Sequence, residues 1–129
     1  MSGLTVLLAL TLLLQAGGLV GSWHGTSTCV DREHFPNCHD EEVIFDAVAR
    51  GTSGDTVTVR ADKLVQGHRE FMGESNYVRG ADGLWVAEFS NERVHLRLTL
   101  RVQGPKLIGH IIDLPSGRTV RDQALTRLH

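Results

Sequence analysis

The chain carries seven histidines in 129 residues, and its densest group of metal-favouring side chains is His34, His39, Asp40, Glu41 and Glu42. Imidazole nitrogens and carboxylate oxygens together suit zinc or copper. No H-x-x-x-H or H-E-x-x-H spacing occurs, and His24, His68, His95, His110 and His129 are scattered along the chain. A metal-binding protein using His34, His39 and the nearby carboxylates is therefore one reading. The simpler one is a solvated, charge-mixed strand entrance, in which Asp40 or Glu41 accepts backbone hydrogen bonds from the preceding loop. Nucleophilic hydrolysis has less to stand on, because Ser27, Ser53 and Ser116 sit in no Gly-x-Ser-x-Gly elbow. Asp46 and Glu88 could in principle share acid and base work, but carboxylates in alternating strands usually face water. No catalysis is expected, no catalytic residue is assigned, and no cofactor is implied.

The two cysteines, Cys29 and Cys38, draw their meaning from the amino terminus. Met1 to Gly18 holds no charged side chain and contains the apolar run Leu4 to Leu14, too short to span a bilayer comfortably. Ala16-Gly17-Gly18 supplies small residues for cleavage after Ala16 or Gly18. Residues 1–18 read as a signal peptide and 19–129 as one exported domain, periplasmic or extracellular. Because Met1-Ser2-Gly3 lacks Lys and Arg, an uncleaved anchor is the alternative, and membrane contact is expected only through this segment. In an oxidising compartment an even pair of cysteines implies a disulfide, Cys29 to Cys38, which ties down the loop Val30 to Asn37. C-x-x-C spacing, which lowers a thiol pKa for redox work, is absent. With 13 Lys and Arg against 15 Asp and Glu, the formal net charge is −2, and no polybasic run is present. Nucleic acid is thereby excluded as a partner, since binding it requires clustered cations that displace phosphate counterions.

Any site in this domain must be positioned by strands. Val94, Leu96, Leu98, Leu100 and Val102 alternate with His95, Arg97, Thr99 and Arg101, and Val57, Val59 and Ala61 alternate with Thr56, Thr58 and Arg60. Side chains on a strand point to opposite faces in turn, so each segment has a dry side and a wet one. The same pattern predicts strands over Leu19–Thr28, Glu42–Arg50, Asp55–Leu64, Arg69–Val78, Leu84–Ser90, Val94–Val102, Lys106–Leu114 and Thr119–Thr126. Gly51 to Gly54, Gln66-Gly67, Gly80 to Gly83, Asn91-Glu92, Gln103-Gly104-Pro105 and Pro115-Ser116-Gly117 separate them with turn chemistry. Successive hairpins favour an all-β, eight-stranded antiparallel up-and-down barrel, because closure removes exposed edges. A two-sheet β-sandwich is the alternative. Ala124, Leu125 and Leu128 have helical spacing, but a strand there closes the barrel.

Gly21-Ser22-Trp23 opens the first strand, and this Gly-x-Trp resembles the start of the lipocalin and avidin group of barrels. The resemblance implies a lipocalin-like barrel with a last-strand arginine stacked on the tryptophan, for which Arg118 or Arg121 is the candidate. Gly25 to Cys29, Pro36 to Glu41, Ala61 to Gly67 and Met72-Gly73 resemble blocks found in this order in small exported bacterial proteins of unknown activity. That likeness supports export, the disulfide and the barrel, and supplies no catalytic residue.

A barrel interior collects one side chain in two from every strand. Trp23, Val43, Phe45, Val57, Val59, Leu84, Val86, Leu96, Leu98, Leu100 and Ile111 are the expected apolar lining. Trp23, Phe45, Val57, Val59, Leu96, Leu98 and Arg121 are the candidate ligand contacts, with the void beside Trp23. The expected function is binding of a small apolar ligand or of an envelope partner. In the competing reading the same side chains fill the interior, and the protein is an envelope scaffold. Ile44 and Val48, Trp85 and Phe89, and Ile108 and Ile112 form a second apolar series. An exposed Trp85 to Phe89 face would serve such a partner.

Overall fold

Every period-two segment becomes a strand in the computed structural model, which describes residues 18–128. The expected signal peptide, apart from Gly18, lies outside the described residues. Strand β1 covers Gly21–Cys29, β2 Glu41–Ala49, β3 Thr56–Val65, β4 His68–Arg79, β5 Trp85–Ser90, β6 His95–Gln103, β7 Lys106–Asp113 and β8 Arg118–Arg127. Consecutive strands pair antiparallel, and β1 also pairs with β8, so the order is a closed eight-stranded barrel and not a sandwich. The helical spacing near the C-terminus yields to strand, because the β8 backbone groups find partners on both β7 and β1. Local turn chemistry sets the links. Gln66 (φ 52°) and Gly67 (φ 79°) form a two-residue hairpin in the left-handed region, with Val65 opposite His68.

One end of the barrel is packed solid. Trp23 is 0 % exposed, among Leu19, Val57, Trp85, Leu100, Leu107 and Leu125, all buried. Its indole N–H donates to the Leu19 carbonyl at 2.9 Å. The cation over its ring is Arg127, 4.1 Å from the centroid, and neither Arg118 nor Arg121. The register explains the correction: Trp23 lies opposite Arg127, whereas Arg121 lies opposite Cys29 at the other end of the same strand pair. Arg127 also donates to the Val20 carbonyl at 2.9 Å, tying the chain ahead of β1 to the last strand.

Strand β5 has the opposite phase from the expected one. Trp85 and Ala87 are buried and Val86 is half-buried on the other face, so Trp85 belongs to the core and the exposed Trp85 to Phe89 face does not exist. Trp85, Ala87 and Phe89 share one face of this strand and Val86, Glu88 and Ser90 the other, so the wholly apolar face, which carries the large indole, turns inward. Leu84 precedes the strand. The outer series is retained elsewhere, for example at Val48, which is 59 % exposed. Strand β5 pairs with β4 at only Val78–Val86 and Arg79–Trp85. Above those pairs the two strands leave a seam.

On the outer face, Asp62 is buried with its oxygens accepting from Arg60 Nε (3.1 Å) and Arg69 Nε (2.8 Å). Arg69 reaches across to Asp46, which also accepts from the Ser22 hydroxyl at 2.7 Å. Partial burial opposes the charge on Asp46, yet the Ser22 hydroxyl and the Arg69 guanidinium outweigh it and hold the carboxyl below its usual range. Arg60 in turn covers the exposed Phe71 ring at 4.8 Å.

Cys29 and Cys38 are joined, with their Cα atoms 6.0 Å apart, at the end of β1 away from the packed base. Asp40 completes the loop, its carboxylate accepting from the Cys29 amide (2.8 Å) and from Arg32 Nη2 (2.9 Å). Closing so short a loop is worth about 2–3 kcal/mol through the unfolded chain. Cys29→Ser is therefore expected to lose that amount in denaturation under oxidising conditions. An unchanged unfolding midpoint would show that the bond contributes nothing.

Candidate functional site

Above the packed base the barrel is open. A cavity of about 260 Å³ occupies the half nearer the disulfide loop. Its apolar wall is formed by Phe45 from β2, Val59 from β3, Leu96 and Leu98 from β6 and Ile111 from β7. Alternation puts each of these inward, the same rule that puts Asp46 and Glu88 outward. Met72, Gly73, Glu74 and Ser75 of β4 and Phe89 of β5 border it too, so the cavity reaches the unpaired stretch of the β4–β5 seam. Its volume lies just below the usual range for drug-sized ligands, which suits a small occupant.

A few polar groups break this surface. Ser27 is 2 % and Gln123 8 % exposed, and they lie opposite each other on β1 and β8. Gln123 Nε2 and Arg121 Nη1 both reach the Ser27 hydroxyl oxygen, at 3.4 and 3.3 Å. Arg121 also pairs with Glu41 at 3.1 Å, both side chains largely shielded from water. Tyr77, 5 % exposed, presents its ring from β4, and burial pushes its phenol far above the usual range, so it stays protonated.

Of the candidate ligand contacts, Phe45, Val59, Leu96, Leu98 and Arg121 stand on the cavity wall. Trp23 and Val57 do not, since both lie in the packed base, and the void is not beside Trp23. Ser27, Tyr77 and Gln123 were missed as cavity residues. The available signal was phase: Ser27 follows Trp23 and Gly25 on the inward series of β1, and Gln123 lies between Arg121 and Leu125 on that of β8. A polar residue in an inward series is either satisfied by protein or turned toward a void.

The histidine region does not gather. His34 Nδ1 contacts Asp31 at 2.9 Å, whereas His39 borders a polar recess with Asp40 and Lys63 that meets the cavity only at Glu41 and Arg121. His24, His95 and His110 each meet one carboxylate, of Glu42, Glu88 and Asp122. Among the described residues no three His, Cys, Asp or Glu side chains are placed to hold a metal ion. Asp46 and Glu88 lie on the outer face in separate ion pairs, with Arg69 and His95. They form no acid–base pair.

A closed antiparallel barrel of eight up-and-down strands, packed at one end and open at the other, is a lipocalin-like fold. Among solved structures the chain is similar to the siderocalin Ex-FABP, described as functioning through dual ligand specificities. The TM-score is 0.54 and the identity 13 %, over 88 % of this chain and 75 % of that one. At this identity the likeness establishes the fold. No protein-family model and no curated protein matches the sequence.

Proposed function

We propose that residues 19–129 are an exported binding protein that holds a small, mainly apolar molecule in the open half of the barrel. The observation that carries this reading is the cavity itself, apolar on most of its wall, with a few convergent polar groups above a solid base. The leader of residues 1–18, the Cys29–Cys38 bond and the likeness to small exported bacterial proteins support export. A lipocalin-like fold supports binding in preference to catalysis. The partner-face reading loses its anchor because Trp85 is buried.

Native mass spectrometry of the protein taken undenatured from its exported fraction tests the proposal. A reproducible extra organic mass is expected, and Leu98→Trp, which enlarges a side chain on the cavity wall, is expected to remove it while the fold is retained. A bare mass, together with no uptake of apolar fluorescent probes, would reject the proposal.

A further inference from the structure

The cavity's polar groups say more about its occupant than its apolar wall does. Ser27 Oγ accepts from two donors, Arg121 Nη1 and Gln123 Nε2, which leaves the Ser27 proton to be given away. Gln123 Oε1 occupies the space above Gly109, where an added Cβ would stand only 2.6 Å from it, and this carbonyl receives no donor from the described residues. The Tyr77 hydroxyl likewise meets no partner among the described residues, and burial alone accounts for its raised pKa. A buried phenol normally finds a hydrogen-bond partner. Yet no fully enclosed polar atom is left unsatisfied. The Tyr77 hydroxyl and the Gln123 carbonyl therefore keep some open surface, and both residues line the cavity with Ser27, each nine-tenths or more buried.

Charge narrows the class further. Arg121, the only cation on the cavity wall among the described residues, is already engaged by Glu41 and by the Ser27 carbonyl and hydroxyl. Glu74 borders the cavity but is exposed and stands opposite Arg60 on the outward series of β4, so its carboxylate adds no charge inside. With the Arg121–Glu41 pair closed, a charged head would lose water on entry without meeting a free counter-ion, which costs more than burying an uncharged one. The Tyr77 phenol and the Ser27 proton offer donors, and Gln123 offers an acceptor.

Resting on the binding reading above, we infer that the occupant is an uncharged molecule with an apolar body and a head that both accepts and donates hydrogen bonds, a carboxamide or an alcohol, and not a carboxylate. Tyr77, Ser27 and Gln123 are its specificity-determining residues. Arg121 and Glu41 form a closed ion pair beside the head and are not its anchor.

The test compares three probes of equal chain length, decanamide, decanoate and decylamine, by displacement of an apolar fluorophore at neutral pH. Decanamide is expected to bind about tenfold or more tightly than decanoate, the size set by partial desolvation of a carboxylate that meets no free cation. Tyr77→Phe keeps the ring and is expected to weaken decanamide about fivefold, the loss of one hydrogen bond, while leaving displacement by plain decane unchanged. Glu41→Gln frees Arg121 and is expected to raise decanoate affinity about tenfold. Decanoate or decylamine binding as tightly as decanamide, or Tyr77→Phe weakening decane equally, would overturn this inference while leaving the cavity reading intact. Failure of all three probes and of decane would overturn both.

Discussion

Trp23→Ala is expected to destabilise the fold by about 3–5 kcal/mol, the cost of removing a large aromatic side chain from a site that cannot collapse. Three features set the size. The ring is fully buried against Leu19 and the other base residues. Its N–H satisfies the Leu19 carbonyl, and the Arg127 guanidinium lies 4.1 Å from the ring centroid. Removing the ring leaves that guanidinium over a void, where water or a shifted β8 end must replace the contact. Trp23→Phe keeps an aromatic face but loses the N–H, so an intermediate loss of about 1–2 kcal/mol is expected. Denaturant unfolding measures both. A cost for the alanine variant below about 1 kcal/mol would show that the base does not depend on this residue.

The second large effect concerns closure. A Cβ built on Gly25 would stand 2.0 Å from the Ala124 carbonyl oxygen and 2.6 Å from Leu125 Cα, both backbone atoms of β8. The first and last strands approach too closely at this point for any side chain. The atoms in the way belong to a paired backbone and not to the far end of a flexible side chain. Gly25→Ala is therefore expected to cost about 3 kcal/mol or more, above the ordinary range for overpacking, by forcing apart the β1–β8 ladder. Gly73→Ala is the control, because nothing lies within 4 Å of its Cβ position and its φ is not in the left-handed region. Its expected change is within about 0.5 kcal/mol. Equal stability of the two variants by thermal unfolding would show that the β1–β8 approach is slack. If Gly25→Ala is folded but β1 and β8 have separated, hydrogen exchange will be fastest at Gly25 to Cys29 and Arg121 to Leu125, the facing residues of that pair.

The strands were legible because their information is local. Alternation over Val94 to Val102 states which side chains share a face, and pairs such as Gln66-Gly67 place the turns. The Cys29–Cys38 bond was legible for the same reason, since two cysteines closing one loop offer a single pairing. Phe45, Val59, Leu96 and Leu98 reached the cavity wall by alternation alone, whereas Trp23, equally inward, landed in the base. Which inward residue meets a void and which meets packing depends on its height in the barrel, and height depends on register.

What the amino-acid sequence determined by itself is the set of strands, their turns, the disulfide and most of the inward series, because period-two patterning and turn chemistry act over a few residues. Tertiary structure decided that Arg127 and not Arg121 covers Trp23, because the stagger accumulated around a closed barrel sets which ends of β1 and β8 coincide. It also decided that Ser27, Tyr77 and Gln123, far apart in the chain, share one cavity, because only closure brings β1, β4 and β8 around the same space.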